Sequence, residues 1–236
     1  MSLNGLILAA GEGSRLAADG VTEPKIMVPV SGRPLLVGLV EALDALGCST
    51  ITCMVPTERA GALASHLPKP GPAVIGCHTP SSLHTLAHGL AAVPPGPVFC
   101  TMVDTVMPRR DWKKLYAAIG RDLAAGADLV LAVTPYVADE RPVYVVRDAG
   151  GAVHDVRDEA VEPPCVTGGV YGLSAAARAA PRQAVERGVT RMREFLRWAA
   201  RGGLRTTAVE VTKIIDLDRA SDLTEAETWF AAEGAQ

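Results

Sequence analysis

Lysine is nearly absent from this chain of 236 residues: it occurs only at positions 25, 69, 113, 114 and 213, and arginine supplies the rest of the positive charge. Aromatic residues are also scarce, at 4%. The formal net charge of −3 leaves no basic surplus of the kind that tracks a phosphate backbone or an anionic bilayer. Neither a nucleic-acid partner nor a membrane partner is therefore expected. No apolar run reaches the roughly 20 residues of a transmembrane helix, and no signal-peptide pattern opens the chain, so a cytoplasmic location is expected. The five cysteines (Cys48, Cys53, Cys77, Cys100, Cys165) include no Cys-x-x-Cys pair and read as reduced, buried small hydrophobes. Two familiar phosphate loops are missing as well. No Gly-Lys-Ser/Thr tripeptide exists, and the third glycine of G-x-G-x-x-G is replaced by Leu16.

What is present begins at the N-terminus. Leu6 to Ala10 is a continuous apolar run, the signature of a strand buried on both faces of a parallel sheet. It breaks into Gly11-Glu12-Gly13-Ser14-Arg15-Leu16, and Lys25 follows nine residues after Leu16. Glycines at a strand end let backbone N–H groups approach an anion without Cβ obstruction. Arg15 and Lys25 add charge that backbone dipoles alone do not supply. The combination points to a nucleoside triphosphate, with an ordinary strand-to-helix turn as the bland alternative.

Along the rest of the chain strands alternate with helices. Pro34 opens a helix with Leu35, Leu36, Leu39, Val40, Leu43 and Leu46 on one face, and Gly47 sits at its C-cap. Strands are expected at Thr50–Val55, Ala73–Cys77, Val98–Val103, Leu129–Val133, Val166–Leu173 and Thr206–Val211. Helices are expected over about Glu58–Leu67, around Leu83–Ala91, over Asp111–Ala125, and twice after Leu173. Ala17–Glu23 reads as a small, polar, mobile stretch. Val143–Val146 and Val153–Val156 flank Asp148-Ala149-Gly150-Gly151 as a hairpin, and Ser221 is a candidate cap for the last helix, with Asp222 and Glu225 in its first turn. Arg193, Arg197 and Arg201 read as one solvated helix face, with a substrate patch as the alternative. The expected fold is a single α/β domain over residues 1–236. It is Rossmann-like, a three-layer α/β/α sandwich with a mostly parallel mixed sheet and an antiparallel excursion after about residue 140.

Asp104 follows its strand directly, so the strand delivers a carboxylate to the sheet edge that also carries the glycine loop. Carboxylate oxygens at such an edge suit Mg²⁺, which binds through one or two carboxylates plus substrate phosphates. His84 and His88 have helical i, i+4 spacing but lack the glutamate of a zinc motif, so they read as a pocket-edge pair.

The segments Leu8-Ala9-Ala10-Gly11-Glu12-Gly13-Ser14-Arg15-Leu16, Glu23-Pro24-Lys25 and Val30-Ser31-Gly32-Arg33-Pro34-Leu35-Leu36 closely resemble the N-terminal signature of one nucleotidyltransferase family. It includes sugar-1-phosphate pyrophosphorylases, cytidylyltransferases and molybdopterin guanylyltransferases. The resemblance implies a nucleotide-diphospho-sugar transferase-like fold and a Mg²⁺ site in which Asp104 is one ligand. Ile215-Asp216-Leu217-Asp218-Arg219-Ala220-Ser221-Asp222-Leu223 resembles the family's late Asp-Ile-Asp-Thr-Pro-Glu-Asp-Leu segment, which makes Asp218 the favoured second ligand and Asp216 its competitor. It also implies a nucleotide held by Leu8, Ala9, Ala10, Gly11, Glu12, Gly13, Ser14 and Ser82, with Arg15 and Lys25 on its phosphates. Thr167-Gly168-Gly169-Val170-Tyr171 resembles an acceptor-binding strand; for Gly169 a β-bulge is the equal alternative. Lys213 is a candidate for the acceptor phosphate.

Two departures concern specificity. Thr79-Pro80-Ser81-Ser82 replaces the family's Gly-Thr-Ala, and Glu162-Pro163-Pro164 lacks the lysine of Glu-Lys-Pro. The implied activity is NMP transfer from an NTP to a phosphorylated acceptor, foremost a sugar 1-phosphate, with release of pyrophosphate. A cytidylyltransferase acting on a phospho-alcohol or polyol phosphate, and a non-catalytic nucleotide-binding module, are the alternatives.

Overall fold

The computed structural model describes residues 2–63, 65–69 and 71–232. The first half of the chain forms β1 (Asn4–Leu8), α1 (Ser14–Ala18), β2 (Pro29–Val30), β3 (Arg33–Pro34), α2 (Leu35–Ala45), β4 (Ile51–Pro56), α3 (Ala60–Leu63), β5 (Ala73–Cys77) and α4 (Ser82–Ala92). Next come β6 (Val98–Met102), β7 (Thr105–Val106), α5 (Arg109–Ala124), β8 (Leu129–Thr134), β9 (Tyr144–Arg147), β10 (Val153–Arg157) and β11 (Val166–Leu173). The chain then forms α6 (Ala180–Glu186), α7 (Met192–Gly202), β12 (Thr206–Glu210), β13 (Ile215–Asp216) and α8 (Ala220–Ala232).

β5, β4, β1 and β6 are parallel neighbours, in that order, and β12 runs parallel to β8. β11 lies antiparallel between β6 and β8, and the β9–β10 hairpin joins at its beginning. The expected mixed, mostly parallel sheet is what forms. Both faces are covered, which is why the strands read as unbroken apolar runs. On β1, Ile7 packs with α2 and α5 residues such as Leu36 and Ile119, while Leu6 and Leu8 pack toward Leu83, Leu86 and Phe195 of α4 and α7. β8 alternates likewise, with Val130 and Ala132 on one side and Leu129, Leu131 and Val133 on the other.

Several expectations need correction. β1 ends at Leu8, two residues early, because Ala9 and Ala10 already leave for the loop, although Ala9 N still donates to Met54 O (2.8 Å). Part of the stretch read as mobile is ordered: α1 runs to Ala18 and Asp19 accepts hydrogen bonds from Ala220 N (3.1 Å) and the Arg219 guanidinium (3.2 Å). The helix expected at Glu58–Leu67 is a 3₁₀ turn, Thr57–Arg59, followed by α3; Ala64 lies outside the described residues. Ser221 does not cap α8, which starts one residue earlier. The Asp222 carboxylate does so, accepting from Asp218 N (2.9 Å) and Arg219 N (2.7 Å).

The arginines of α7 are not simply solvated. Arg193 and Arg197 pair with Asp158, and Arg201 grips Asp155 through Nε (2.6 Å) and Nη2 (2.8 Å). The Arg201 hydrogen bonds hold the Asp155 carboxyl at about 2, against the desolvation that raises it. Because the folded value lies below the unfolded value of about 4, this carboxylate stabilises the fold above pH 4. That contribution is lost as pH falls toward 2. Thermal unfolding across pH 2–5 is expected to show this loss in the wild type. Asp155→Asn is expected to lack it, so that the two curves converge at the acid end. Parallel curves would refute the linkage.

Candidate active site

The site is assembled at the carboxyl edge of the parallel strands, where α/β sheets place their ligands. Gly13, at the start of α1, has φ 67°, ψ 33°, a left-handed conformation, and a Cβ built on it would lie 2.7 Å from Lys25 Cβ. This glycine is thus required twice, for backbone shape and for the close approach of Lys25. Gly11 has nothing within 4 Å of its Cβ position and faces open space.

Lys25 begins a 3₁₀ turn after Pro24 and is 8% exposed. Its Nζ lies 2.6 Å from Asp104 Oδ2 and 2.5 Å from Asp218 Oδ1, while the other oxygen of Asp218 accepts from Arg15 Nη1 at 2.7 Å. The expected residues Arg15, Lys25, Asp104 and Asp218 therefore form one connected cluster. Burial alone would pull the Lys25 ammonium down. The Asp104 and Asp218 carboxylates outweigh it, so its pKa stands above that of an ordinary lysine and the group stays charged.

The two carboxylates meet because of a small ladder. β7, just past Asp104, pairs antiparallel with β13, matching Val106 to Ile215 and Thr105 to Asp216, and Leu217 N donates to Asp104 O (2.9 Å). The same ladder separates Asp216 from Asp218. Asp218 joins Lys25 and Arg15, whereas Asp216 turns inward and its Oδ1 is buried without a hydrogen-bond partner among the described residues. Burial first, then the nearby charges of Asp104, Asp139 and Asp218, push the Asp216 carboxyl well above the usual carboxylate range.

Besides a small cavity of about 50 Å³ lined by Arg15, Thr167, Asp216 and Asp218, among others, two larger ones flank the cluster. One of about 200 Å³ is lined by Gly11, Glu12, Lys25, Pro56 and Arg59. The other, of about 310 Å³, is lined by Asp104, Asp218, Ser82, Thr167, Gly169 and Tyr171, among others. Ser82, expected beside the nucleotide loop, opens α4 on the wall of this second cavity. Gly169 lines it too, but its glycine identity follows from φ 72° and from a Cβ position only 2.6 Å from Thr105 Oγ1, at a register slip between β11 and β8. The bulge reading accounts for it. Lys213 is committed elsewhere: its Nζ pairs with Glu225 (2.7 Å) and sits over the rings of Tyr136 (4.3 Å) and Trp229 (4.9 Å). It lines neither cavity, so the structure does not bring it to the space expected for an acceptor. His84 bonds Ser81 Oγ (2.9 Å) at the start of α4. Among the described residues no group of three or more His, Cys, Asp or Glu is arranged to hold a metal ion.

Sequence reasoning missed Asp139 and Arg191 as wall residues of the larger cavity, whereas Thr167 and Tyr171 lie in the stretch it singled out around Gly169. Only the strand alternation of Thr167, Gly169 and Tyr171 carried a usable signal.

A glycine loop, a buried lysine and two converging carboxylates on this sheet edge define a nucleotidyltransferase, an enzyme that splits pyrophosphate from an NTP. The comparisons agree. Residues 5–199 match the MobA-like NTP transferase domain, and the chain belongs to that family. No curated protein sequence matches it. Solved structures that share the fold include the inositol-1-phosphate CTP transferase from T. maritima (13% identity, 96% of this chain and 95% of that one, TM-score 0.78). A UDP-glucose pyrophosphorylase complexed with UDP-glucose is similar (16%, 99% and 100%, 0.77). So is a Bacillus anthracis protein provisionally named a glucose-1-phosphate thymidylyltransferase, in complex with a sucrose (15%, 97% and 95%, 0.81).

Proposed function

We propose that this protein is a Mg²⁺-dependent nucleotidyltransferase that joins the NMP of an NTP to a phosphorylated acceptor, foremost a sugar 1-phosphate. The observation that carries the reading is the Lys25 ammonium held between Asp104 and Asp218, with Arg15 on the outer oxygen of Asp218. Family membership and the UDP-glucose and glucose 1-phosphate in the names of two structural neighbours support it. The whole chain acts as one domain in this reading, because β12, beyond the family match, pairs with β8.

The donor set fits Mg²⁺. Asp104 and Asp218 each present an oxygen to a single cationic point, both are hard ligands, and substrate phosphates would complete the shell. Bound there, the ion would supply charge neutralisation to the triphosphate. The protein's own residues do the rest. Arg15 and the loop Leu8–Ser14 hold the β- and γ-phosphates, and Lys25 steadies the α-phosphate as negative charge builds on it. The acceptor is a phosphate monoester with a second pKa near 6, already ionised at neutral pH, so no general base is required. One of its oxygens bonds to the α-phosphorus in line, the bond to the β-phosphate oxygen breaks, and pyrophosphate leaves.

A polyol phosphate is the second reading for the acceptor, favoured by the missing lysine at Glu162-Pro163-Pro164 and by the inositol-1-phosphate CTP transferase among the neighbours. No described helix is long and apolar enough to cross a membrane, and a cytoplasmic enzyme is the matching proposal. The decisive experiment is pyrophosphate release with Mg²⁺ from each of the four NTPs, against sugar 1-phosphates and polyol phosphates. Release that depends on one NTP, one acceptor and Mg²⁺ is expected. If NTP binds with no help from Mg²⁺ and no acceptor is turned over, the protein is a binding module instead.

A further inference from the structure

Asp218 has a thin local support. The β7–β13 ladder matches only Val106 with Ile215 and Thr105 with Asp216, and Asp218 lies beyond its end. The other side of β13 is anchored by a box drawn from three separate parts of the chain. Lys213, just before β13, sends its ammonium to Glu225 of α8 (2.7 Å) and over the rings of Tyr136 (4.3 Å) and Trp229 (4.9 Å). The Tyr136 hydroxyl donates to the same Glu225 oxygen. Thr134 brings Tyr136 there, since its Oγ1 accepts from Tyr136 N (3.1 Å) and donates to Thr212 O (3.1 Å). The Lys213 side chain is 21% exposed and that of Glu225 33%, so the pair is shielded from much of the screening that weakens surface ion pairs, and two aromatic faces add to it.

The same helix fixes the far end of the segment. Asp222 accepts from Asp218 N (2.9 Å) and Arg219 N (2.7 Å), and Asp222, Glu225 and Trp229 follow one another at helical spacing on one side of α8. Residues 213–219, which carry Asp216 and Asp218, are thus tied at both ends to successive turns of one helix. Tyr136 also lines the small cavity that Arg15, Asp216 and Asp218 share.

We propose that Lys213 is a positioning residue: clamped by Glu225, Tyr136 and Trp229, it fixes residues 213–219 so that the Asp218 carboxylate meets Lys25 beside Asp104. The inference rests on the nucleotidyl-transfer reading for the work that Asp218 does. In this role Lys213 touches no substrate. Its removal frees the entrance of the segment while the Asp222 cap and the ladder remain, and the loss falls on the placement of Asp218. Outer partners that orient metal-binding groups matter by about ten- to a hundredfold in metal affinity or activity, and a misplacement of about 1 Å suffices for such a loss.

The test is a double-mutant cycle on the full chain. The Lys213 and Asp218 side chains share no partner among the described residues, and independent sites add. Lys213→Met keeps the apolar stem and removes the charge. Glu225→Gln, milder and of nearly constant shape, is carried through the same cycle and is expected to follow the same pattern. Without metal or substrate, Asp218→Asn is expected to lower the melting temperature of the wild type, and to lower that of Lys213→Met by less than about half as much. With Mg²⁺, Lys213→Met is expected to cut kcat for pyrophosphate release about twentyfold and to raise the Mg²⁺ needed for half-maximal rate about tenfold, with acceptor KM unchanged. In the Asp218→Asn background the same substitution should cost less than about twofold in kcat. Additive losses of melting temperature overturn the clamp, because Lys213 would then stabilise the fold without acting through Asp218. A raised acceptor KM with an unchanged Mg²⁺ requirement places Lys213 at the acceptor and overturns it as well. If the melting temperatures couple and the wild type turns over no acceptor with any NTP, the transfer reading falls and the clamp stands. If Lys213→Met turns over acceptor as well as the wild type, the clamp falls and the transfer reading stands.

Discussion

Lys25→Met is expected to lower kcat/KM for pyrophosphate release by about a thousandfold and to make the fold depend on divalent cation. The two effects have one origin. Among the described residues Lys25 is the only cation touching both Asp104 and Asp218, and its removal leaves their oxygens no further apart than its two N–O distances combined. Removing one partner of a buried ion pair costs about 3–5 kcal/mol. The lower end applies, because the Asp218 side chain is 35% exposed and keeps Arg15. A divalent ion that binds only the folded state restores about 2.7 kcal/mol at a hundred times its dissociation constant. Mg²⁺ should therefore raise the melting temperature of Lys25→Met more than that of the wild type, where ion and ammonium share the same carboxylates. Thermal unfolding with and without Mg²⁺, alongside steady-state kinetics, checks both halves. A variant as stable as the wild type without metal, and no more responsive to it, would mean that the two carboxylates do not face one another.

The lysine was readable because several local signals coincided: a strand buried on both faces, a glycine turn, and one of the chain's rare lysines just downstream. A doubly buried strand such as Leu6-Ile7-Leu8 must be apolar at every position, and that leaves its mark in the sequence. Asp104 was legible for the same reason, as the residue delivered by β6. Asp218 is 193 residues from Lys25. Periodicity carries no information over that span, and only the late family-like segment pointed to it. The surroundings of Lys213 and of the glycine pair depend on the same kind of distance. Lys213 lies next to the metal-side segment in sequence, yet Tyr136, Glu225 and Trp229 hold its ammonium, and nothing local in the chain announces that box. Gly168 and Gly169 looked equally like an acceptor platform and a bulge. The glycine identities themselves follow from Ile214 against the Cβ position of Gly168 and Thr105 beside Gly169, both contacts made only by the folded chain.

Asp104→Asn should reduce pyrophosphate release a thousandfold or more, Asp218→Asn about a hundredfold, and Asp216→Asn less than tenfold in kcat. The order follows from what each carboxylate faces. Asp104 supplies an oxygen to the buried ammonium, and the asparagine variant keeps its backbone link to Leu217 while losing the charge that would hold a hard cation. Asp218 does the same from a more open position, with Arg15 able to take part of its work in orienting phosphates. Asp216 is different. Burial and the charges of Asp104, Asp139 and Asp218 disfavour the ionised form of its carboxyl, so a neutral amide of similar shape is a smaller electrostatic change there than at Asp104. Kinetics of the three variants at saturating NTP, with Mg²⁺ varied, separate these roles, since Asp104→Asn and Asp218→Asn should raise the Mg²⁺ requirement and Asp216→Asn should not. If Asp216→Asn proved as damaging as Asp104→Asn while Asp218→Asn was mild, the ion would have to sit against β13 rather than beside Lys25. Lys25 would then be a brace for the β7–β13 ladder instead of a partner in phosphoryl chemistry.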